Sequence, residues 1–383
     1  MQGSWKENVK KKTGFLSMEK VAVNIKESEK SYEVLIGSSI SASIAGFIRK
    51  RHKNKRIVVI TDNNLKKLCQ KTIMNALKPL NPLLISIPTG EMSKSRKMKE
   101  KIEDKLLEKK YGRDTIIIAF GGGVIGDLAG FVASTFGRGV PLMHVPTTLL
   151  AMVDSSIGGK TGVNTKHGKN LIGTTYQPDA VFADLDFLDT LSNEELVNGM
   201  AEIIKIAATS DSSLFKFIEK NNKKILNRDK SVLIHIIKRA IELKKNIVEK
   251  DEKESGLRQT LNFGHTFGHA FENYHNYKKK HGHCISIGLA IESKIANLIG
   301  KLGNDEVKRI EELLYKFNLP TTAKKDIDID KIMEIMKIDK KARNQRPRFI
   351  ILEKIGKIMS EKNNYSFEVD ESIVRKAIEL YRK

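Results

Sequence analysis

Cysteine is nearly absent from this chain: Cys69 and Cys284 are the only two among 383 residues. Far apart in an otherwise ordinary composition, they exclude a disulfide framework and suit a reducing compartment, so a cytoplasmic location is expected. No apolar run approaches the roughly 20 residues of a bilayer-spanning helix, and no membrane partner is expected. The first 17 residues, MQGSWKENVKKKTGFLS, begin basic but lack the apolar centre of a secretory signal. Residues 1–18 are expected to form a disordered extension, or to reflect a start site ahead of Met18. Aromatic residues make up only 6%, and acidic residues are too few to balance the basic ones, leaving a formal net charge of +22. Such a surplus attracts polyanions or small anionic substrates. The lysines, however, spread along nearly every helical period, as in Lys216–Lys224 and Lys244–Lys253, and no aromatic platform interleaves with them. A solvated lysine-rich surface fits this pattern better than a nucleic-acid interface, so nucleic acid is not an expected partner.

What is present, 40% hydrophobic and 30% charged residues, reads as a soluble globular protein large enough for two domains. Up to about Leu185, β-branched runs at 56–62, 83–88, 114–123 and 180–185 alternate with helical or loop segments. That alternation predicts an α/β nucleotide-binding domain with a mainly parallel sheet over 19–190. After Leu191 the periodicity turns helical, beginning at Ser192 with Glu195 three residues on, a capping-box spacing. Helices are predicted over 213–220, 230–249, 259–275, 285–301, 306–317 and 371–381, with a hairpin-like interruption at 348–359. A mainly α-helical domain therefore fills 191–383, and a crevice between the halves is the natural place for a ligand.

Gly121-x-Gly123-x-x-Gly126 follows the apolar run TIIIAF, and glycines there let backbone N–H groups approach a pyrophosphate. The acidic residue expected about 20 positions later is missing and Asp127 follows at once, so the ordinary Rossmann fingerprint fails and a different dinucleotide fold is indicated. Asp62 at a strand end and the turn at 88–94 are candidate helpers. Each of these glycines also has a plain reading as a tight-turn residue.

The segment LNFGHTFGHAFE at 261–272 puts His265 and His269 on one helical face. A zinc-protease reading fails, because that mechanism needs glutamate directly after the first histidine and Thr266 stands there. His281 opens another apolar helical run, and Glu202 in GMAEIIK adds a carboxylate. The set suits a three-donor metal site with an open position, although a histidine on an apolar face is commonly a hydrogen-bonded core residue. Lys205 shares the face of Glu202. With Lys160, Lys169, Asn170, Lys244, Arg258 and Asn262 it makes a cationic and polar set suited to a substrate carrying phosphate and carboxylate.

Taken in order, GGGVIGD, VPTTLLAMVDSSIGGKTGVN, KNLIG, GMAEIIK, GLR-LNFGHTFGHA and HG resemble the 3-dehydroquinate synthases from about Val21 to the C terminus. The resemblance implies a nucleotide-binding α/β domain followed by a helical domain, a homodimer, bound NAD and a divalent zinc or cobalt ion. It also implies a small anionic sugar-phosphate substrate, 3-deoxy-D-arabino-heptulosonate 7-phosphate, cyclised to 3-dehydroquinate. Residue by residue, it assigns Glu202, His265 and His281 to the metal. Asp62, Glu91, Lys94, Gly123, Val124, Ile125, Gly126, Asp127, Thr147, Thr148, Lys160, Lys169, Phe187 and Thr190 match NAD contacts. Asp154, Lys160, Lys205, Lys244 and His269 match the catalytic group. Substrate binding falls to these same lysines and His269 with Asn170, Arg258, Asn262 and Lys341 (or Lys340), and to Arg138 from a neighbouring subunit. Two positions depart from the family pattern: His283 stands where Glu is usual, two residues after the metal ligand His281, and Gly173–Tyr176 replaces a more usual pair of a small residue and phenylalanine. Rival readings are another sugar-phosphate cyclase, of valiolone or deoxyinosose type, and an iron-dependent polyol dehydrogenase.

Overall fold

The computed structural model describes residues 18–26, 30–338 and 346–383; residues 1–17 of the expected extension, and Lys340 and Lys341, lie outside them. The chain divides into two compact units. One comprises Ser31–Thr147 and Gly159–Thr190 with the strand ahead of them up to Val23, and the other is built from Thr148–Gly158 and Leu191–Lys383.

The first unit is organised by a seven-stranded sheet. Its strands are β1 (Glu19–Ile25), β2 (Lys30–Gly37), β3 (Arg56–Asp62), β4 (Leu83–Ile87), β5 (Thr115–Gly121), β6 (Leu142–Pro146) and β9 (Ala180–Asp184), in the order β1-β2-β9-β6-β5-β3-β4. Every pairing from β2 to β4 is parallel. The continuous apolar runs follow from burial on both faces. Ile57 and Val59 of β3, with Ile116, Ile118 and Phe120 of β5, pack to one side. Val58, Ile60, Ile117 and Ala119 pack to the other, as the two-residue period of a strand requires. Helix α1 (Ile44–Arg51) covers the first face, and α2 (Arg96–Glu108) and α3 (Gly123–Thr135) the second. Between β6 and β9 the chain forms a separate antiparallel hairpin, β7 (Lys160–Thr165) with β8 (Gly168–Thr175). The glycine in the departing segment Gly173–Tyr176 is required there: a Cβ on Gly173 would lie 1.9 Å from the Thr161 carbonyl.

In the second unit α4 (Asn193–Ser210) is central, and every residue from Leu196 to Thr209 is buried. Half of the expected capping box forms, with Glu195 N donating to Ser192 Oγ at 3.2 Å, while the Glu195 carboxylate turns instead to Asn198 and Lys280. Around α4 lie α5 (Ser212–Leu226), α6 (Lys230–Val248), α7 (His265–Tyr274), α8 (His281–Leu298), α9 (Asn304–Lys316), α10 (Ile329–Ile338) and α11 (Glu371–Leu380). The hairpin is present as the short pair β10 (Leu352–Lys354) and β11 (Lys357–Ile358).

One expected helix is corrected. The segment predicted as a single helix over 259–275 is a 3-10 turn at Leu257–Asn262, then α7. Gly264 between them has φ 77°, and a Cβ there would sit 2.7 Å from the Leu289 side chain. The left-handed glycine breaks the helix and lets α7 come close against α8. Helix α10 was not foreseen, although Ile332, Met333 and Met336 carry its period and are buried. Among the described residues no helix is long and apolar enough to cross a membrane.

Candidate active site

Helix geometry assembles the metal candidates within the second unit. Glu202 lies in the buried middle of α4, His265 is the first residue of α7, and His281 is the first of α8. One donor atom from each falls within 4.8 Å of the others. His281 Nε2 is 3.4 Å and His265 Nε2 3.6 Å from Glu202 Oε1. Donors on a tetrahedral zinc with bonds near 2.1 Å are spaced by about 3.4 Å, so these separations match an ion's coordination shell. The Glu202 carboxylate is sealed from solvent, and neither oxygen completes a well-formed hydrogen bond, although the Lys205 ammonium ion-pairs with it. Such a carboxylate, facing two imidazoles, suits a cation.

The tautomers suit a metal as well. His265 Nδ1 lies 3.2 Å from the Phe263 carbonyl, which can only accept, so Nδ1 carries the proton and Nε2 keeps its lone pair. Burial alone would lower the His281 pKa, but the carboxylates of Glu202 and Glu272 outweigh it and push it to about 10. Burial likewise would raise the Glu202 carboxyl, and the Lys205 ammonium and His281 more than offset that, holding it below its ordinary range. This is a place built for positive charge. His269 sits one turn along α7, its ring centroid 5.3 Å from that of His265 and 6.3 Å from that of His281.

A small cavity beside Glu202 is lined by Asp154, Lys205 and Lys244 with Val153 and Ile206. Lys205 and Lys244 are both buried. Lys244 Nζ donates to the Asp154 carbonyl at 2.6 Å and pairs with its carboxylate. Burial pushes the Lys244 pKa down, and the Asp154 charge offsets part of that. Arg258, also buried, donates to the Glu252 carbonyl at 2.5 Å and the Gly158 carbonyl at 3.1 Å. Its loop is set by Asp251, whose carboxylate accepts from the backbone N–H of Ser255, Gly256 and Arg258. Asp251 was not singled out as a site residue, though three backbone donors to one carboxylate make it the organiser of that loop. Asn262 Nδ2 donates to Glu254 Oε1 at 2.7 Å, and Thr148 Oγ1 accepts from Ala151 N at 3.1 Å.

In the first unit the glycine turn becomes the start of α3, capped by Gly122 with no side chain. Gly123, Val124, Ile125, Gly126 and Asp127 form its first turn, an anion-binding arrangement of backbone N–H groups. Gly121 is obligatory, since a Cβ there would lie 2.7 Å from Ile125. Asp127 ion-pairs with the buried Lys94. Asn164 links the neighbourhood, donating to Glu91 Oε1 at 2.7 Å and to the Lys94 carbonyl at 2.8 Å through its backbone N–H. It also accepts from Asn170 N at 3.1 Å, a partnership not anticipated from sequence. Thr147 N donates to the Gly121 carbonyl at 3.1 Å. Asp62 accepts from Asn64 N, Leu65 N and Thr89 Oγ1 at 2.9–3.2 Å, closing the turn after β3. Phe187 packs edge-on against Phe120, and Thr190 Oγ1 donates to the Phe187 carbonyl. Lys160 and Lys169 belong to the β7–β8 hairpin, and Arg138 stands exposed at φ 67° between Gly137 and Gly139.

A parallel-sheet unit with a glycine-opened helix, and a helical unit carrying one glutamate, two histidines and buried lysines, define a metal-site enzyme scaffold of the nucleotide-binding α/β type. Residues 84–198 match the family model of the 3-dehydroquinate synthase N-terminal domain, and 199–342 match that of the C-terminal domain. The chain belongs to the 3-dehydroquinate synthase family. It is 41% identical over 348 residues to the 3-dehydroquinate synthase of Dehalococcoides mccartyi, covering 90% of this chain and 96% of that one. Among solved structures it resembles a 2-deoxy-scyllo-inosose synthase complexed with carbaglucose-6-phosphate, NAD+ and Co2+ (TM-score 0.86, 25% identity, 95% and 100% of the two chains covered). It is also similar to the 2-epi-5-epi-valiolone synthase of Streptomyces hygroscopicus subsp. jinggangensis, with NAD+ and Zn2+ bound (TM-score 0.82, 25% identity, 91% and 96% covered).

Proposed function

We propose that this chain catalyses the reaction its family is named for, as a carbon–oxygen lyase of the shikimate pathway. It would convert 3-deoxy-D-arabino-heptulosonate 7-phosphate to 3-dehydroquinate and phosphate by transient oxidation, phosphate elimination, reduction and aldol closure. The observation that carries the reading is the Glu202, His265 and His281 donor set beside the buried Lys205 and Lys244 and the half-buried Asp154. The relatedness to cyclases supports it.

When bound, NAD takes up and returns a hydride while a divalent zinc or cobalt ion acts as a Lewis acid on substrate oxygens. Glu202, His265 and His281 would hold the metal. The first turn of α3, with Asp62, Glu91, Lys94, Thr147, Thr148, Lys169, Phe187 and Thr190, would hold the dinucleotide, and Lys160 would meet both it and the substrate. Lys205, Lys244, Arg258, Asn262, Asn170 and His269 would bind and orient the anionic substrate. Asp154 fixes Lys244 by a charged contact, and burial strengthens every such contact by excluding water. With no dedicated catalytic dyad among these residues, their work is clamping and orientation. Lys341 remains a proposed phosphate contact.

A homodimer, with Arg138 reaching a second copy, is proposed on the family resemblance and the exposure of that residue. A cytoplasmic location is proposed from the low cysteine content, Cys69 and Cys284 alone, far apart in sequence and both buried. The related cyclases keep a valiolone or inosose activity as the second reading, but Lys244 and Arg258 favour a substrate carrying a carboxylate as well as a phosphate.

The deciding experiment follows phosphate release from 3-deoxy-D-arabino-heptulosonate 7-phosphate with catalytic NAD, before and after chelation, while reading absorbance of reduced nicotinamide. Chelator-sensitive release without accumulation of NADH is expected. Release only from glucose 6-phosphate or a heptulose 7-phosphate would transfer the function to the second reading, and stoichiometric NADH with a polyol would make it a dehydrogenase.

A further inference from the structure

Glu272 takes no part in the donor set, yet its carboxylate is buried and its Oε1 lies 3.4 Å from His281 Nδ1. The opposite ring nitrogen, Nε2, lies the same 3.4 Å from Glu202. His281 is thus held between two carboxylates, one on each nitrogen. We infer that Glu272 is the positioning residue of the metal site: it accepts the Nδ1 proton of His281, fixes that ring with Nε2 toward the ion, and raises its strength as a donor. The inference rests on the metal-site reading above.

Three features of the fold converge on this role. Glu272 follows His265 by seven residues and His269 by three, so all three share one face of α7. Helices α7 and α8 approach more closely than side chains allow: a Cβ on Gly288 would lie 2.0 Å from the Gly264 carbonyl, and one on Gly268 would lie 2.4 Å from Ile285. That contact brings the end of α7 to the start of α8. The backbone of α8 is pinned independently, because Gly282 N donates to Asn198 Oδ1 at 2.6 Å. Asn198 is in turn held by Glu195, which also ion-pairs with Lys280. Asn198 therefore places the first turn of α8, and Glu272 sets the ring that projects from it.

The two histidines are oriented differently. His265 gives its Nδ1 proton to a neutral backbone carbonyl, whereas His281 faces a carboxylate, which makes the stronger, charge-assisted partner. The acidic partner on the Nδ1 side of His281 therefore comes from α7. His283 is not among the residues whose donor atoms cluster with Glu202.

The test uses full-length protein stripped of metal, titrated with Zn2+ against a chromogenic chelator and with Co2+ by its visible absorption. Glu272→Gln keeps the volume and an acceptor oxygen but removes the charge, and Glu272→Leu removes both. Zn2+ affinity should fall about 10-fold in the first and about 100-fold in the second, with altered Co2+ bands and an unchanged melting temperature of the metal-free protein. Affinities within twofold of wild type with identical Co2+ spectra would overturn the inference. So would losses that merely track a lower melting temperature of the metal-free variants. Wild-type protein that binds neither ion would instead overturn the metal site itself.

Discussion

Lys244, buried on α6, donates to both the backbone carbonyl and the carboxylate of Asp154, two groups supplied from 90 residues earlier in the chain. The pair fixes an ammonium group at the edge of the cavity beside Glu202. Burial works against that charge, and the Asp154 carboxylate sustains it. Lys244→Met should therefore cut kcat/KM by at least about 100-fold, roughly 3 kcal/mol of transition-state binding. The Asp154 side chain keeps 34% exposure and can rehydrate, so urea unfolding should show a loss of only about 1–2 kcal/mol. Equal losses in a Lys244→Met variant that no longer folds would remove the argument for a binding role.

Metal content separates ligands from neighbours. His265→Ala should lose the bound ion and turnover together, because the remaining two donors do not make a closed set. His283→Ala should keep both. Elemental analysis after gel filtration reads the outcome, and an intact metal content in His265→Ala would sink the donor assignment.

The close contact of α7 and α8 predicts a stability difference between glycines. Gly288→Ala places a methyl 2.0 Å from a backbone carbonyl, and should cost about 3 kcal/mol as the helices separate, with metal affinity falling in step. Gly46→Ala in α1 has nothing within 4 Å of its added carbon, and should stabilise by about 0.5–1 kcal/mol. Urea midpoints of the two variants give the comparison.

His144 on β6 sets an acid dependence. Burial depresses its pKa from 6.5 to about 4, so the folded chain keeps the ring neutral where the unfolded chain protonates it. Stability from this group is full above pH 6.5 and is lost as pH falls toward 4, by an amount on the order of 3 kcal/mol. His144→Leu should flatten the fall in urea midpoint over that window. An unchanged slope would show that His144 is protonated in the fold.

If Arg138 serves the site of a second copy, mixing inactive Arg138→Ala and Lys244→Met subunits should regenerate activity. Random pairing gives mixed dimers in half the population, each with one intact site, so about a quarter of wild-type activity should return. Light scattering on the wild type reads the dimer directly, and a mixture that stays inactive would place Arg138 in its own subunit's structure.

The sequence by itself determined the succession of an α/β half and a helical half, the two-sided burial of the parallel strands and the candidate metal donors. The first two rest on local signals, the two-residue period of β3 and β5 and the glycines ahead of α3, whereas the candidate donors Glu202, His265 and His281 stand in three separate motifs that the family resemblance brings together. The sequence did not reveal the helix break at Gly264, because a histidine-rich apolar period continues across it and only the pressure of Leu289 and Gly288 from α8 demands a left-handed residue there. Nor did it single out Glu272, Asn198 or Asp251, whose roles depend on which atoms face them. Asp251 acts within its own loop, but Glu272 and Asn198 act on His281 and Gly282 from other helices. Spacing along one helix specifies which side chains share a face. Which other face they meet is settled by helix packing, and the tertiary structure alone placed the carboxylate of Glu272 against the ring of His281.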